Sequence, residues 1–203
     1  NQYDYHLPIG SLPRFFRQGK REFEKGAAAF LIADSDRTQD LKKRLNPLDN
    51  EVIVGISWRG GRKKSGSLKK RVIDPGFLMS ALNSQGMRFV SLQYGSTDQE
   101  IRSVKEKYNL EIETIPDIDN FHDLDGLASL IRSCDKVVSV DNATVFLSGA
   151  LGVETHVLLP FSSDWRWGID GSKSYWHEDL NLYRQTTGGD WFAPLRELKR
   201  NLS

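Results

Sequence analysis

From Glu51 onward the chain alternates short runs of β-forming residues with segments of helical spacing, and this alternation restricts the fold more than any other feature. VIVGISW (52–58), RFVSLQY (88–94), LEIETI (110–115), KVVSV (136–140) and ETHVLLP (154–160) are predicted strands. Between them DPGFLMSALNS (74–84), STDQEIRSVKEKY (96–108), FHDLDGLASLIRSC (121–134) and NATVFLSGAL (142–151) are predicted helices, and PLRELKRNL (194–202) closes the chain as another. Pro75 falls near a first turn, where the missing N–H costs little. The Ser96–Asp98 cluster offers helix caps. Leu124, Leu127, Leu130 and Ile131 form a helical stripe. Strands separated by helices of this length pair in parallel through right-handed crossovers. The expected fold is therefore α/β: a Rossmann-like parallel sheet with helices on both faces.

Residues 1–50 show no such rhythm. They are turn-rich, punctuated by Pro8, Pro13 and Pro47, and are expected to be an N-terminal extension or inter-domain segment before a domain over 51–203. The stretch Ser162–Trp191 also breaks the pattern: it is long and polar, holds four of the five Trp, and is expected to be a loop that carries function. Net charge is +1 and 38% of residues are hydrophobic, as expected of a globular chain with no demand for a nucleic-acid partner. No apolar run approaches the roughly 18 residues that span a bilayer. No signal-length apolar segment opens the chain. A cytoplasmic setting is expected, and the start at Asn1 is what a piece of a longer protein would show. The single cysteine, Cys134, excludes an internal disulfide and is expected to be a buried structural thiol.

In an open parallel sheet, ligands bind beyond the carboxyl ends of the strands where the strand order reverses. Three stretches point to that rim. The first, WRGGRKKSGSLKKR (58–71), holds seven cations after Trp58 (Arg59, Arg62, Lys63, Lys64, Lys69, Lys70 and Arg71) and no acid. Gly60 and Gly61 permit close backbone approach to a ligand. Gly61 and Gly66 have P-loop spacing, but Ser67-Leu68 replaces the Lys-Ser/Thr that a triphosphate site needs, which excludes that chemistry. The second stretch is VVSVDNATVFLSGALG (137–152). If Asp141 ends its strand, Asn142, Ala143 and Thr144 form a first helical turn whose free N–H groups and dipole attract an anion. The same residues equally describe a helix capped by Asp141 and nothing more. The third is the Trp-rich stretch, whose rings wall a base or sugar or else fill the core. Paired carboxylates at 34–36, 117–119 and 123–125 read as turns, and His6, His122, His156 and His177 lack ligand spacing, so no metal is expected. No G-x-S-x-G elbow is present.

VGISWRGG, RFVSLQYG, the long run from DLDGLASL to DWRWG, and LNLYRQTTGGDW together resemble the C-terminal half of a GT-B glycosyltransferase over about residues 51–202. The nearest resemblance is to heptosyltransferase-like proteins that often follow tetratricopeptide repeats, and a more distant one is to the O-GlcNAc transferase family. LPIGSLPRFFR resembles the segment that ends the family's N-terminal half. The resemblance implies one of two Rossmann-like halves. This half would bind a nucleotide-sugar donor (UDP-, ADP- or GDP-linked), while the other binds a saccharide or protein acceptor and carries the catalytic base. It places Asp141, Asn142, Ala143 and Thr144 at the diphosphate turn and Arg71, followed by VIDP, near a phosphate-binding cation. Gln93 and Tyr94 fall at a strand end facing the nucleotide, and Phe121 near the base pocket. Trp58, Arg59 and Gly60 complete the rim, with Trp58 also a candidate for base or sugar contact. Catalytic residues within this chain are not identified. One departure stands out: Phe146 occupies a position where the family often has His. A degenerate, non-catalytic scaffold is the alternative reading.

Overall fold

The computed structural model describes residues 3–23, 28–45, 51–60, 71–82 and 86–202. Two short helices, α1 (Pro13–Phe16) and α2 (Lys20–Phe23), precede α3 (Ser35–Leu45). Strands β1 (Val52–Ser57), β2 (Met87–Ser91), β3 (Ile112–Glu113), β4 (Lys136–Val140), β5 (Thr155–Leu159) and β6 (Leu180–Arg184) then follow in one sheet. Helices α4 (Pro75–Leu82), α5 (Asp98–Tyr108), α6 (Leu124–Ser133) and α7 (Ala143–Ala150) connect successive strands as far as β5, and α8 (Phe192–Leu202) comes last. The strands are parallel throughout, in the order β3-β2-β1-β4-β5-β6.

Successive side chains of a strand point to opposite faces, and here the two sets enter different cores. Val54 and Ile56 of β1, with Val138 and Val140 of β4, pack under α4, α5 and α8 through Leu78, Met79, Leu82, Val104, Leu195 and Leu198. Ile53 and Val137 turn to the other face, against α6 residues Leu127, Leu130 and Ile131. Val157, Leu159, Leu180 and Leu182 meet Val145 of α7 and Trp167. Helices thus cover both faces, as the sequence pattern requires. Leu41 and Leu45 of α3, which lies within residues 1–50, are buried in the same core as α6. Two cross-links tie α3 to this region: Arg37 to Asp123 and Arg44 to Asp117, each at 2.5 Å. The Arg44 hydrogen bond draws the Asp117 carboxyl down to about 2.

The stretch Ser162–Trp191 is not only a loop. It contains β6, which pairs along the whole of β5, and a 3-10 turn over Trp165–Trp167. Trp58, Trp167 and Trp191 are buried and fill the core, whereas Trp165 is exposed. Cys134 is buried at the end of α6, and burial pushes its thiol up to about 12. Among the described residues, no helix is long and apolar enough to cross a membrane.

Buried His156 on β5 gives the fold a measurable pH dependence. Its ring nitrogens lie 3.0 Å from the Tyr183 hydroxyl and 3.0 Å from a Glu154 oxygen. Burial lowers its pKa to about 4; Glu154 opposes that shift and Lys136 adds to it. The unfolded chain therefore binds a proton between about 6.5 and 4 that the folded chain refuses, so this contribution is complete above pH 6.5 and is lost as pH falls toward 4. Melting temperature measured across that window is expected to fall on acidification, and the His156→Asn variant is expected to show a flatter profile.

Candidate functional site

The strand order reverses between β1 and β4, so the turns leaving these two strands form the walls of the crevice where open α/β sheets place ligands. They are in direct contact. A Cβ on Gly60 would lie 2.6 Å from the Asp141 carbonyl oxygen and 3.3 Å from Asn142 Cβ, so only glycine lets the β1 turn lie on the β4 turn. The described residues on either side of the basic stretch form a narrow neck. Gly60 N–H donates to Arg71 O, Ile73 N–H donates to Trp58 O (both 3.0 Å), and Arg59 bridges Val72. Trp191 Nε1 secures the neck from outside through Val72 O at 3.2 Å. Lys63, Lys64, Lys69 and Lys70 lie outside the described residues.

A buried polar relay fixes the two turns. Gln93 Oε1 accepts from Trp58 N and Arg59 N (both 2.9 Å) and from Ser57 Oγ (3.1 Å). Asn142 Nδ2 donates to Ser57 Oγ (2.7 Å) and Arg59 O (3.2 Å). Asn142 Oδ1 accepts from Thr144 N (3.0 Å) and Ser139 Oγ (3.2 Å). Asn142, rather than Asp141, therefore caps α7. Asp141 stands one residue earlier and is nearly enclosed. Its Oδ2 lies 3.4 Å from Arg71 Nη1, and its Oδ1 has no hydrogen-bond partner among the described residues. Asn142 and Thr144 are also buried, so the surface this turn offers is Ala143.

The remaining expected residues divide into two groups. Trp58 is fully enclosed and Gln93 points inward. Arg59 turns to α5, with Nε 3.2 Å from Glu100 and Nη2 donating to Ser96 O at 2.9 Å. Tyr94 and the half-exposed Phe121 come together, ring centroids 6.0 Å apart, at the carboxyl ends of β2 and β3. Phe121 borders a groove of about 650 Å³ whose floor includes Gln93, Gly95, Ile118 and Asn120. Asn120 was not evident from the sequence. Its Nδ2 takes the Ser91 and Gln93 carbonyls (both 3.2 Å), which ends β2 earlier than its β-forming residues suggest, and its buried Oδ1 has no partner among the described residues. Asp119 holds the Phe121 backbone N–H at 2.8 Å and His122 Nδ1 at 2.7 Å, and the His122 contact keeps its carboxyl below the ordinary range.

On the other side of α7, the turn after β5 supplies a second group, in which Arg166 is the residue that the sequence did not single out. Phe146 stacks on Trp167, centroids 5.0 Å apart at 24°, and the Arg166 guanidinium lies over the Phe146 ring, 4.8 Å from its centroid. In the sequence the Asp-Trp-Arg-Trp run is read for its Trp residues and as part of the family resemblance, and Phe146 as a departure from that family.

No protein-family model matches the chain. Among curated proteins it is similar to protein FlbA of Caulobacter vibrioides, 32% identical over 193 residues; the match covers 94% of this chain but 31% of FlbA, so the chain spans about a third of that relative's length. Of solved structures, it is similar to the E. coli ADP-heptose LPS heptosyltransferase II, with a TM-score of 0.59 and 15% identity over 85% of this chain and 52% of that one. It is also similar to a family 9 glycosyl transferase from Veillonella parvula, with a TM-score of 0.54 and 13% identity over 78% of this chain and 43% of that one. These likenesses are of fold: the chain has a parallel α/β fold found in glycosyltransferases and spans about half of each of these two structures.

Proposed function

We propose that this chain is the nucleotide-sugar-binding domain of a GT-B glycosyltransferase. The observation that carries the reading is the arrangement at the strand-order reversal. There Arg71 meets the buried Asp141 through one long contact beside the start of α7, and a groove edged by Phe121 lies along the same rim. A UDP-, ADP- or GDP-linked donor would place its base and ribose in the groove, against Phe121 and Tyr94. Its diphosphate would lie across the turn at Asn142, Ala143 and Thr144, with Arg71 beside it. Trp58, Arg59, Gly60 and Gln93 would form the frame that holds those groups in place. When the sugar leaves, negative charge grows on the nucleoside diphosphate, and a preorganised guanidinium and helix dipole stabilise it there more than in the ground state. The catalytic base and the saccharide or protein acceptor would belong to another part of the same polypeptide, of which tetratricopeptide repeats are a proposed component.

Calorimetric titration with UDP, ADP and GDP tests this reading. At least one is expected to bind, and Arg71→Ala is expected to weaken it. Failure of all three favours a second reading, a non-catalytic module that kept the fold. Phe146 supports that alternative, since an apolar ring stacked on Trp167 stands at a position where the family that the sequence resembles often has a histidine. A third reading, a nucleic-acid binder using the 58–71 cations, predicts oligonucleotide binding that falls steeply with salt.

A further inference from the structure

The turn after β5 holds a cation for which the fold has no evident use. Arg166 Nε donates to Asp164 Oδ1 at 2.8 Å, and this is the only hydrogen bond its guanidinium makes among the described residues. Both Nη groups are unengaged, and the side chain is 38% exposed. The support beneath it is firm. Phe146, the fourth residue of α7, carries the guanidinium over its ring and stacks on buried Trp167. Trp176 Nε1 pins the Arg166 backbone carbonyl at 2.9 Å, and the Arg166 N–H is held by Asp164 Oδ1 at 3.1 Å. A free Nη fork on a fixed stem is suited to bidentate capture of a phosphate. Burial raises the Asp164 carboxyl, but the Arg166 hydrogen bonds and the charges of Arg166 and Arg71 outweigh that and keep it below its ordinary range, which places Arg71 within electrostatic reach of this turn.

The strand order sets the direction. The Phe121 groove lies beyond β2 and β3, Arg71 stands at β1 and β4, and Arg166 stands at the β5 side of α7. A nucleoside diphosphate lying along this rim, base in the groove, has its second phosphate on the β5 side. We propose that Arg166 is a second phosphate-binding cation of the site, its Nη fork taking the phosphate farther from the nucleoside. This rests on the donor-binding reading above, and it assigns to that phosphate a residue outside the turns of β1 and β4.

The test compares each nucleoside diphosphate with its monophosphate on the whole chain, by calorimetry, for the parent and three variants. Arg166→Gln is expected to weaken the diphosphate about tenfold or more, the scale of one charge-assisted bond, while the monophosphate changes less than twofold. Arg166→Lys is expected to retain part of the affinity. Asp164→Asn keeps the cap acceptor for the Arg166 N–H but removes the competing charge, and it is expected to tighten diphosphate binding severalfold. Melting temperatures identify any variant that loses its fold, and Asp164→Asn then still decides through its opposite sign. Equal diphosphate affinity in the parent and Arg166→Gln, or equal losses for mono- and diphosphate, overturns the assignment while leaving the donor reading intact. A parent that binds no diphosphate overturns both.

Discussion

The Gln93→Leu variant is expected to melt roughly 6–12 °C below the parent, the largest effect of any single substitution near the rim. Leu fills a similar space but cannot accept a hydrogen bond. Trp58 N–H and Arg59 N–H would then lose their acceptor, and Ser57 Oγ would lose one of two partners. An unsatisfied buried donor costs about 1–3 kcal/mol, so two cost about 2–6 kcal/mol; because the Arg59 N–H is only partly buried, the loss is set at about 3 kcal/mol. In a chain of this size, 1 kcal/mol is about 2–4 °C. Differential scanning calorimetry reads the change directly. A shift under 2 °C would mean that the β1 turn finds other acceptors and that the relay does not hold the rim together.

The second large effect separates stability from binding. Arg71→Ala leaves the Asp141 carboxylate enclosed without its cation. Losing one partner of a buried pair costs about 3–5 kcal/mol, but the 3.4 Å contact and the partial exposure of Arg71 reduce this to about 2–3 kcal/mol. Asp141→Asn in the same chain removes the stranded charge and is expected to recover most of that loss. Nucleoside diphosphate affinity should behave otherwise: it falls about 10–100-fold in Arg71→Ala, the size of a charge-assisted hydrogen bond, and stays low in the double variant. If affinity and melting temperature recover together, Arg71 acts only on the fold. If both the single and double variants bind as the parent does, the anion site lies elsewhere.

The sheet was legible because its evidence is local. Strand β4 follows the run KVVSV residue for residue, and the helical stripe of α6 is complete within its own ten residues. What escaped depends on partners distant in the chain. Strand β6 was hidden by the polar, Trp-rich stretch around it; its alternation, with Leu180 and Leu182 on one face and Tyr183 on the other, acquires meaning only once β5 lies beside it. Asp141 and Asn142 are equally good cap types, and the choice between them is made from outside α7. Arg71 and Gly60 meet Asp141, and Ser57 and Arg59 engage Asn142. Gln93 reads from sequence as a side chain at an open strand end. It turns inward because the β1 turn presents two N–H groups that no strand neighbour accepts. Arg166 was passed over because its support, Phe146, is twenty residues upstream on another element.

The neck at residues 58–60 and 71–73 has a practical corollary. Its ends are clasped by described residues alone, Gly60 N–H on Arg71 O and Ile73 N–H on Trp58 O, across ten intervening positions of the sequence. Changing the length of a closed segment costs only fractions of a kcal/mol per doubling. The clasp itself therefore ties the β1 turn to the segment that enters α4, and insertions between its two ends are expected to leave the melting temperature nearly unchanged.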